Sequence, residues 1–396
     1  MLKRCNYFRL ISTFALKLVF MAGLYIHIPF CKSRCVYCGF YSTTYETLKD
    51  KYVEALKCEL SFTANANNIP QYPYSTLYIG GGTPSQLSIA QLATLLEDIK
   101  TLPDVERTIE CNPDDITSDF AQGLKQLGFN RVSLGVQSFN DKQLKFLRRR
   151  HNAVKVREAI NMLKSAGFQN ISIDLMYGLP SQTLTDWESD IDEALALDVQ
   201  HISCYCLTYE EDTPLYNMLA RGEVAEADDE LALLMYETLI DRLASAGFAH
   251  YEISNFAKPG YQSKHNSSYW NGTPYVGIGA GAHSYDGSSR SWNICDVKRY
   301  IKILTAPDCQ PSSLSTICEK EELTADDRYN ELVMTRLRTS AGLPIDEIPE
   351  TYMQHFNKCS KPYIDSGDLS VSDNVCRITR KGLFISDAII SSLFVV

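Results

Sequence analysis

The sequence predicts an α/β protein: a partial (β/α)6 barrel, a C-terminal extension and then a winged-helix-like module. Three observations carry this. Six short β-rich runs alternate with longer amphipathic stretches, the pattern of parallel strands joined by crossover helices. The glycine-rich and polar motifs fall at the C-terminal ends of those runs, where a β/α barrel gathers its functional groups. Residues 316–396 then change to two helical patterns and two short strands around a turn.

The six strands are GLYIHI (23–28), TLYIG (76–80), RTIEC (107–111), RVSLGV (131–136), ISIDLMYG (171–178) and HISCYCLTY (201–209). Between them, YETLKDKYVEALKCELSF, SIAQLATLLEDIK, SDFAQGLKQLG and NAVKVREAINMLKSAG space their apolar residues by three and four, as helices do. Ser88, Thr117 and Asn152 stand where N-caps are expected, and Gly128 and Gly167 where helices stop. The acidic run GEVAEADDE (222–230) closes the barrel portion, followed by the helix LALLMYETLIDRLASAGF. The expected division is an N-terminal extension at 1–20, a core barrel at 21–225, an extension at 226–315 and the C-terminal module at 316–396.

Of 396 residues, 45% are hydrophobic and 22% charged, the balance of a folded globular chain. A net charge of −10 supplies no basic field for a phosphate backbone, so no nucleic-acid partner is expected. Thirteen cysteines are too irregularly spaced for a disulfide framework, yet three crowd into eight residues. That points to a reducing compartment and a metal site, hence a cytoplasmic location, with peripheral membrane association left open. The first twenty residues mix four basic residues with apolar ones, but no A-x-A-like cleavage site precedes Met21. The reading adopted is an upstream start, with Met21 as the functional initiator. No apolar run of transmembrane length follows.

Cys31, Cys35 and Cys38 form a C-x3-C-x2-C loop directly after the first strand. Three thiolates on one short loop can bind three corners of a [4Fe–4S] cubane and leave the fourth iron open. Structural zinc would ask for four ligands, usually in two separated pairs. The competing zinc reading takes His27 as the fourth ligand; the preferred one has His27 support the loop. Cys204 and Cys206 alternate along a strand and read as small core residues, while Cys58, Cys111, Cys295, Cys309, Cys318, Cys359 and Cys376 are scattered.

YIHIPFCKSRCVYCGFYS resembles the HemN/HemW branch of the radical S-adenosylmethionine (SAM) superfamily, with Tyr37 as the aromatic before the third cysteine. The resemblance runs in order through most of the chain after Met21. It implies that SAM chelates the open iron, with Tyr25 and Tyr37 among the cofactor contacts. Gly80-Gly81-Gly82-Thr83-Pro84 resembles the family's GGTP turn, which implies a site at Gly81, Gly82 and Thr83 for the methionyl amino group; the competing reading is a tight turn. Glu110, Gln137 and Asp174 match SAM-binding positions, and Arg149, twelve residues after Gln137, matches the family arginine. Arg148 and Arg150 flank it and leave that register open. Asp114 and Asp115 read as solvated loop charges.

Beyond the barrel, Tyr251–Ala257 and HNSSYW (265–270) resemble the YEISNFA and HNxxYW elements of HemW-like proteins. An imidazole beside aromatic rings can ligate haem iron, so His265 is the candidate axial ligand, against a role in holding its loop. His283, in GIGAGAHSY, reads as a cavity-lining residue rather than a metal ligand. Two departures separate the chain from coproporphyrinogen dehydrogenases: Phe40 stands where that branch carries a fourth cysteine, and only 24 residues precede Tyr25. The resemblance therefore implies a haem chaperone, with haem as cargo, haem-requiring respiratory proteins as recipients and an electron donor for the cluster. The alternatives are a coproporphyrinogen III dehydrogenase, leaving enzymatic activity open, and a winged-helix regulator disfavoured by the acidic charge.

Overall fold

The structure, a computed structural model, describes residues 22–66 and 73–396. The extension expected at 1–20 lies outside the described residues. The chain forms two compact units: one from the described part of residues 1–135 with Lys145–Ile171 and Thr273–Glu321, the other from Val136–Leu144, Ser172–Gly272 and Glu322–Val396.

In chain order the strands are β1 (Gly23–Ile28), β2 (Tyr74–Gly81), β3 (Thr101–Cys111), β4 (Arg131–Gln137), β5 (Ile171–Tyr177), β6 (His201–Cys206), β7 (Ala249–Glu252), β8 (Asn255–Ala257), β9 (Tyr275–Ile278), β10 (His283–Tyr285), β11 (Ser289–Asn293), β12 (Cys318–Glu322), β13 (Leu343–Pro344), β14 (Leu369–Ser372) and β15 (Val375–Ile378). The first six are the strands read from the sequence. Pairing in the first unit is parallel from β1 through β4. β9 adds to the other side of β1 in parallel, and β10 and β11 continue from it as an antiparallel meander. In the second unit β5 pairs parallel with β6, followed by antiparallel β8 and β7.

Local chemistry fixes these elements. Leu24, Ile26 and Ile28 of β1 are buried in the core, so strand alternation puts Tyr25 and His27 on the opposite face. The helix Ile89–Leu96 starts in a capping box between Ser88 and Gln91, and Thr117 and Asn152 accept from the backbone N–H of Phe120 and Lys155 at the starts of Ser118–Gln126 and Ala153–Ser165. Each cap contributes about 1 kcal/mol. Gly128 and Gly167 follow those last two helices at φ +83° and +87°, the left-handed turn that glycine enters without steric cost. Asp228 caps Asp229–Ser245, so the acidic run ends inside that helix rather than before it.

The C-terminal module, within the second unit, packs helices Ala325–Leu337 and Glu350–Asp365 on the sheet β13-β15-β14. Its core is Tyr329, Val333, Leu337, Phe356, Cys376 and Ile389 among others. The Ile253 N–H donates to the Arg338 carbonyl, and Arg380 pairs both nitrogens with Asp241 at 2.5 and 2.8 Å. Among the described residues no helix is long and apolar enough to cross a membrane.

Candidate functional site

The cysteine loop leaves the end of β1 and is fastened at several points. Thr43 N–H donates to the Pro29 carbonyl at 2.6 Å and Cys31 N–H to the Thr43 carbonyl at 2.9 Å, closing the loop's neck. His27 bonds the Tyr41 carbonyl through Nε2 (3.1 Å) and the Tyr25 hydroxyl through Nδ1 (2.9 Å). Burial holds this imidazole down to about 4, so it is neutral near pH 7. It is a loop support, as expected.

Two sulfurs have donors aimed at them: the Thr83 hydroxyl at Cys31 Sγ and Arg149 Nη1 at Cys35 Sγ, both at 3.4 Å. Burial pushes the Cys31 and Cys38 thiols up, and the neighbouring thiols add to it. Such sulfurs favour deprotonation only with positive charge or metal beside them. Burial works against the Arg149 charge, but Tyr37 and Cys35 more than offset it and hold the guanidinium above its usual range. Among the described residues no three His, Cys, Asp or Glu side chains are arranged to hold a single metal ion. A cubane asks for something different, since each thiolate takes its own iron. Three thiols on one loop, with donors directed at two sulfurs, fit that group.

The glycine turn after β2 lies against this loop. Gly81 has φ +113°, and a Cβ there would stand 2.5 Å from His27 Cε1; one on Gly82 would stand 3.1 Å from Cys31 Sγ. Only glycine permits both approaches. Glu110, at the end of β3, accepts from the Tyr78 hydroxyl (2.7 Å) and the Gly81 N–H (3.1 Å). Tyr78 was not singled out in the sequence, although its two-residue step from Gly80 places it on the same strand face.

Arg148, Arg149 and Arg150 differ in what they touch. Arg149 donates to Asn112 Oδ1 and the Gly135 carbonyl besides Cys35. Arg148 is exposed. Arg150 bridges Asp114 and Asp115 at 2.7 and 2.8 Å, and Asp115 also accepts from Ser85 and Gln86. The two aspartates are therefore not solvated loop charges: a single turn at Pro113–Asp115 turns them onto Arg150.

Cys31, Cys35, Tyr37, Gly81, Gly82, Thr83, Glu110 and Arg149 thus belong to one constellation in the first unit. Gln137 and Asp174 lie in the second. Gln137 ends β4 at φ +71°, a left-handed backbone costing a non-glycine residue roughly 1 kcal/mol or more. The next two residues are pinned to buried Asp190, which accepts from the Ser138 hydroxyl (2.8 Å) and the Phe139 N–H (2.7 Å). Asp174 is half-buried on β5, opposite Ser203. Cys204 is core, but Cys206 is exposed, contrary to the core reading of the pair.

His265 sits in the short helix Lys264–Trp270, fully buried, with Nε2 on the Tyr269 hydroxyl at 2.9 Å. In this arrangement it ties the helix together. His283 is exposed.

Comparison with known proteins gives the chain its family. Residues 25–194 match the Radical SAM superfamily and residues 323–385 the HemN C-terminal domain. The heme chaperone HemW of Bacillus subtilis (strain 168) is 35% identical over 379 residues, covering 93% of this chain and 98% of the relative. The chain belongs to the HemW family. The heme chaperone HemW of Escherichia coli (strain K12) is 38% identical over 271 residues, 66% of this chain and 69% of that one. The solved coproporphyrinogen III oxidase HemN from Escherichia coli superposes with a TM-score of 0.79 over 96% of this chain and 92% of its own, at 24% identity, a likeness of fold. Membership of the radical SAM superfamily implies a [4Fe–4S] cluster and SAM.

Proposed function

We propose that this protein is a haem chaperone: it binds haem and passes it to haem-requiring proteins, respiratory enzymes among them, from the cytoplasm or the inner membrane surface. The observation that carries this reading is that relatives named heme chaperones match 93–94% of the chain at 34–35% identity, whereas the likeness to the oxidase HemN is one of fold. Phe40 supports it. The residue is 73% exposed and offers no thiol beside Cys38.

In this reading Cys31, Cys35 and Cys38 hold the cluster, which when bound supplies an electron and an open iron that anchors SAM. The residues around it do separate work. The Thr83 hydroxyl and the Arg149 guanidinium donate to thiolate sulfur and favour the ionised ligands. Gly81 and Gly82 let the cofactor approach the backbone closely. Glu110, oriented by Tyr78 and the Gly81 N–H, offers carboxylate oxygens to ribose hydroxyls or an amino group. Tyr25 fixes His27 and, through it, the loop. An electron donor must reach the loop from outside, where Lys32 and Arg34 are exposed.

The test is to offer anaerobically reconstituted protein haem and coproporphyrinogen III separately. Haem should bind, and no protoporphyrinogen IX should form. Sustained formation of protoporphyrinogen IX would refute the chaperone reading in favour of the dehydrogenase.

A further inference from the structure

Beside β1 the first unit carries an aromatic sheet face whose residues on β9, β10 and β11 the cluster and the SAM residues do not use. Residues directly opposite one another in adjacent strands share a face. The register pairs Tyr25 with Gly277, Tyr275 with Tyr285, His283 with Trp292, and Tyr285 with Arg290. One surface over β9, β10 and β11 therefore bears Tyr275, Gly277, His283, Tyr285, Arg290 and Trp292, and it continues into Tyr25 and His27. His283 is exposed, and Tyr275, Tyr285, Arg290 and Trp292 are half-exposed.

We infer that this face is a haem-binding platform, with His283 as the axial ligand, Trp292, Tyr275 and Tyr285 as an aromatic floor and Arg290 as the partner of a propionate. The inference rests on the haem-chaperone reading and assigns its binding site. Three strands spaced about 4.8 Å apart, with a two-residue step of about 6.8 Å, make a flat face roughly 10 Å across, the breadth of a tetrapyrrole ring. Gly277 keeps its centre low: a Cβ there would fall 1.9 Å from the His283 carbonyl oxygen. The His283 and Trp292 rings stand nearly parallel, 29° apart with centroids at 6.1 Å. A macrocycle ligated at the imidazole tip lies across both edges and over the tyrosines.

Charge and protonation agree with that occupant. The Arg290 guanidinium lies 5.4 Å over the Tyr285 ring, at the rim of the face, where it meets a carboxylate while the macrocycle covers the apolar part. Partial burial, and then the Arg290 charge, hold His283 below the usual histidine range, so its lone pair is available to iron at neutral pH. Among the described residues the His283 ring has no hydrogen-bond partner to displace. The buried His265 has one.

Ferric protoporphyrin IX titrated into the full, anaerobically reconstituted chain tests this, with ligation read by magnetic circular dichroism and resonance Raman, and cluster content and melting temperature measured on each variant. His283→Ala should lose the imidazole-ligated signature and weaken binding at least tenfold, and added imidazole should restore the spectrum. Arg290→Ala should weaken binding of haem but not of its dimethyl ester. If His283→Ala keeps wild-type spectrum and affinity, the platform is wrong and the chaperone reading stands. If wild-type protein binds no haem, both fail.

Discussion

Gly81 offers the most quantitative check on how the glycine turn and the cysteine loop depend on each other. Its φ of +113° excludes most side chains, and a Cβ would lie 2.5 Å from His27 Cε1 and 2.6 Å from Nδ1. The ring has little room to retreat, since Nδ1 is bonded to Tyr25 and Nε2 to the Tyr41 carbonyl. Backbone strain of about 1–3 kcal/mol and overpacking of about 1–3 kcal/mol together put the cost of Gly81→Ala at about 4 kcal/mol. Gly222 separates the two effects: it has φ +69° with nothing within 4 Å of a built Cβ. Gly222→Ala should therefore cost only the strain, about 1–2 kcal/mol. Denaturant midpoints of the cluster-free variants give the difference, and calorimetric SAM binding to reconstituted protein should be lost in Gly81→Ala alone. Equal destabilisation by the two substitutions would refute the proposed contact between turn and loop.

Other perturbations follow the same reasoning. Cys31→Ala, Cys35→Ala and Cys38→Ala should each abolish cluster binding in iron and sulfide analysis, and buried Cys204→Ala should not; cluster loss in Cys204→Ala with retention in Cys35→Ala would reverse the ligand assignment. Burial raises Asp190 to about 6 from 3.8. Its folded form therefore favours the proton, and the associated stability is full below about pH 4 and lost as pH rises through 6, up to about 3 kcal/mol. Asp190→Asn should remove that part of the pH dependence, seen as unfolding midpoints converging between pH 4 and 7. Arg149→Met leaves Cys35, Asn112 and the Gly135 carbonyl without their donor, and should cost about 2–4 kcal/mol as well as weakening SAM binding; Arg148→Met should be silent in both measurements.

Local signals were legible because local physics sets them. The six barrel strands, the caps at Ser88, Thr117 and Asn152, and the left-handed stops at Gly128 and Gly167 depend on neighbours within a few residues, and the structure has each of them. Contacts made by chain return were not. Arg150 meets Asp114 and Asp115 because one helical turn follows β3, which charge spacing alone does not reveal. Glu59 is buried and accepts from Tyr300, the Asn293 amide and the Gly279 N–H, all from residues more than 200 positions away. The Cys58 and Cys309 sulfurs, 251 positions apart in sequence, lie 3.9 Å apart. The pairing of β9 with β1 is of the same kind. It turns a glycine-rich stretch with no clear period into the strand that carries the aromatic face.

Handover of haem tests the central claim most directly. Protein loaded with a single equivalent of haem and freed of excess should be mixed with a haem-free respiratory enzyme, and the enzyme's activity followed against an equal amount of free haem. The account predicts faster recovery of activity from the loaded protein, with haem leaving it in step, and dependence on the cluster, so that Cys35→Ala slows the transfer. Recovery no faster than with free haem, or haem retained by the protein throughout, would contradict it.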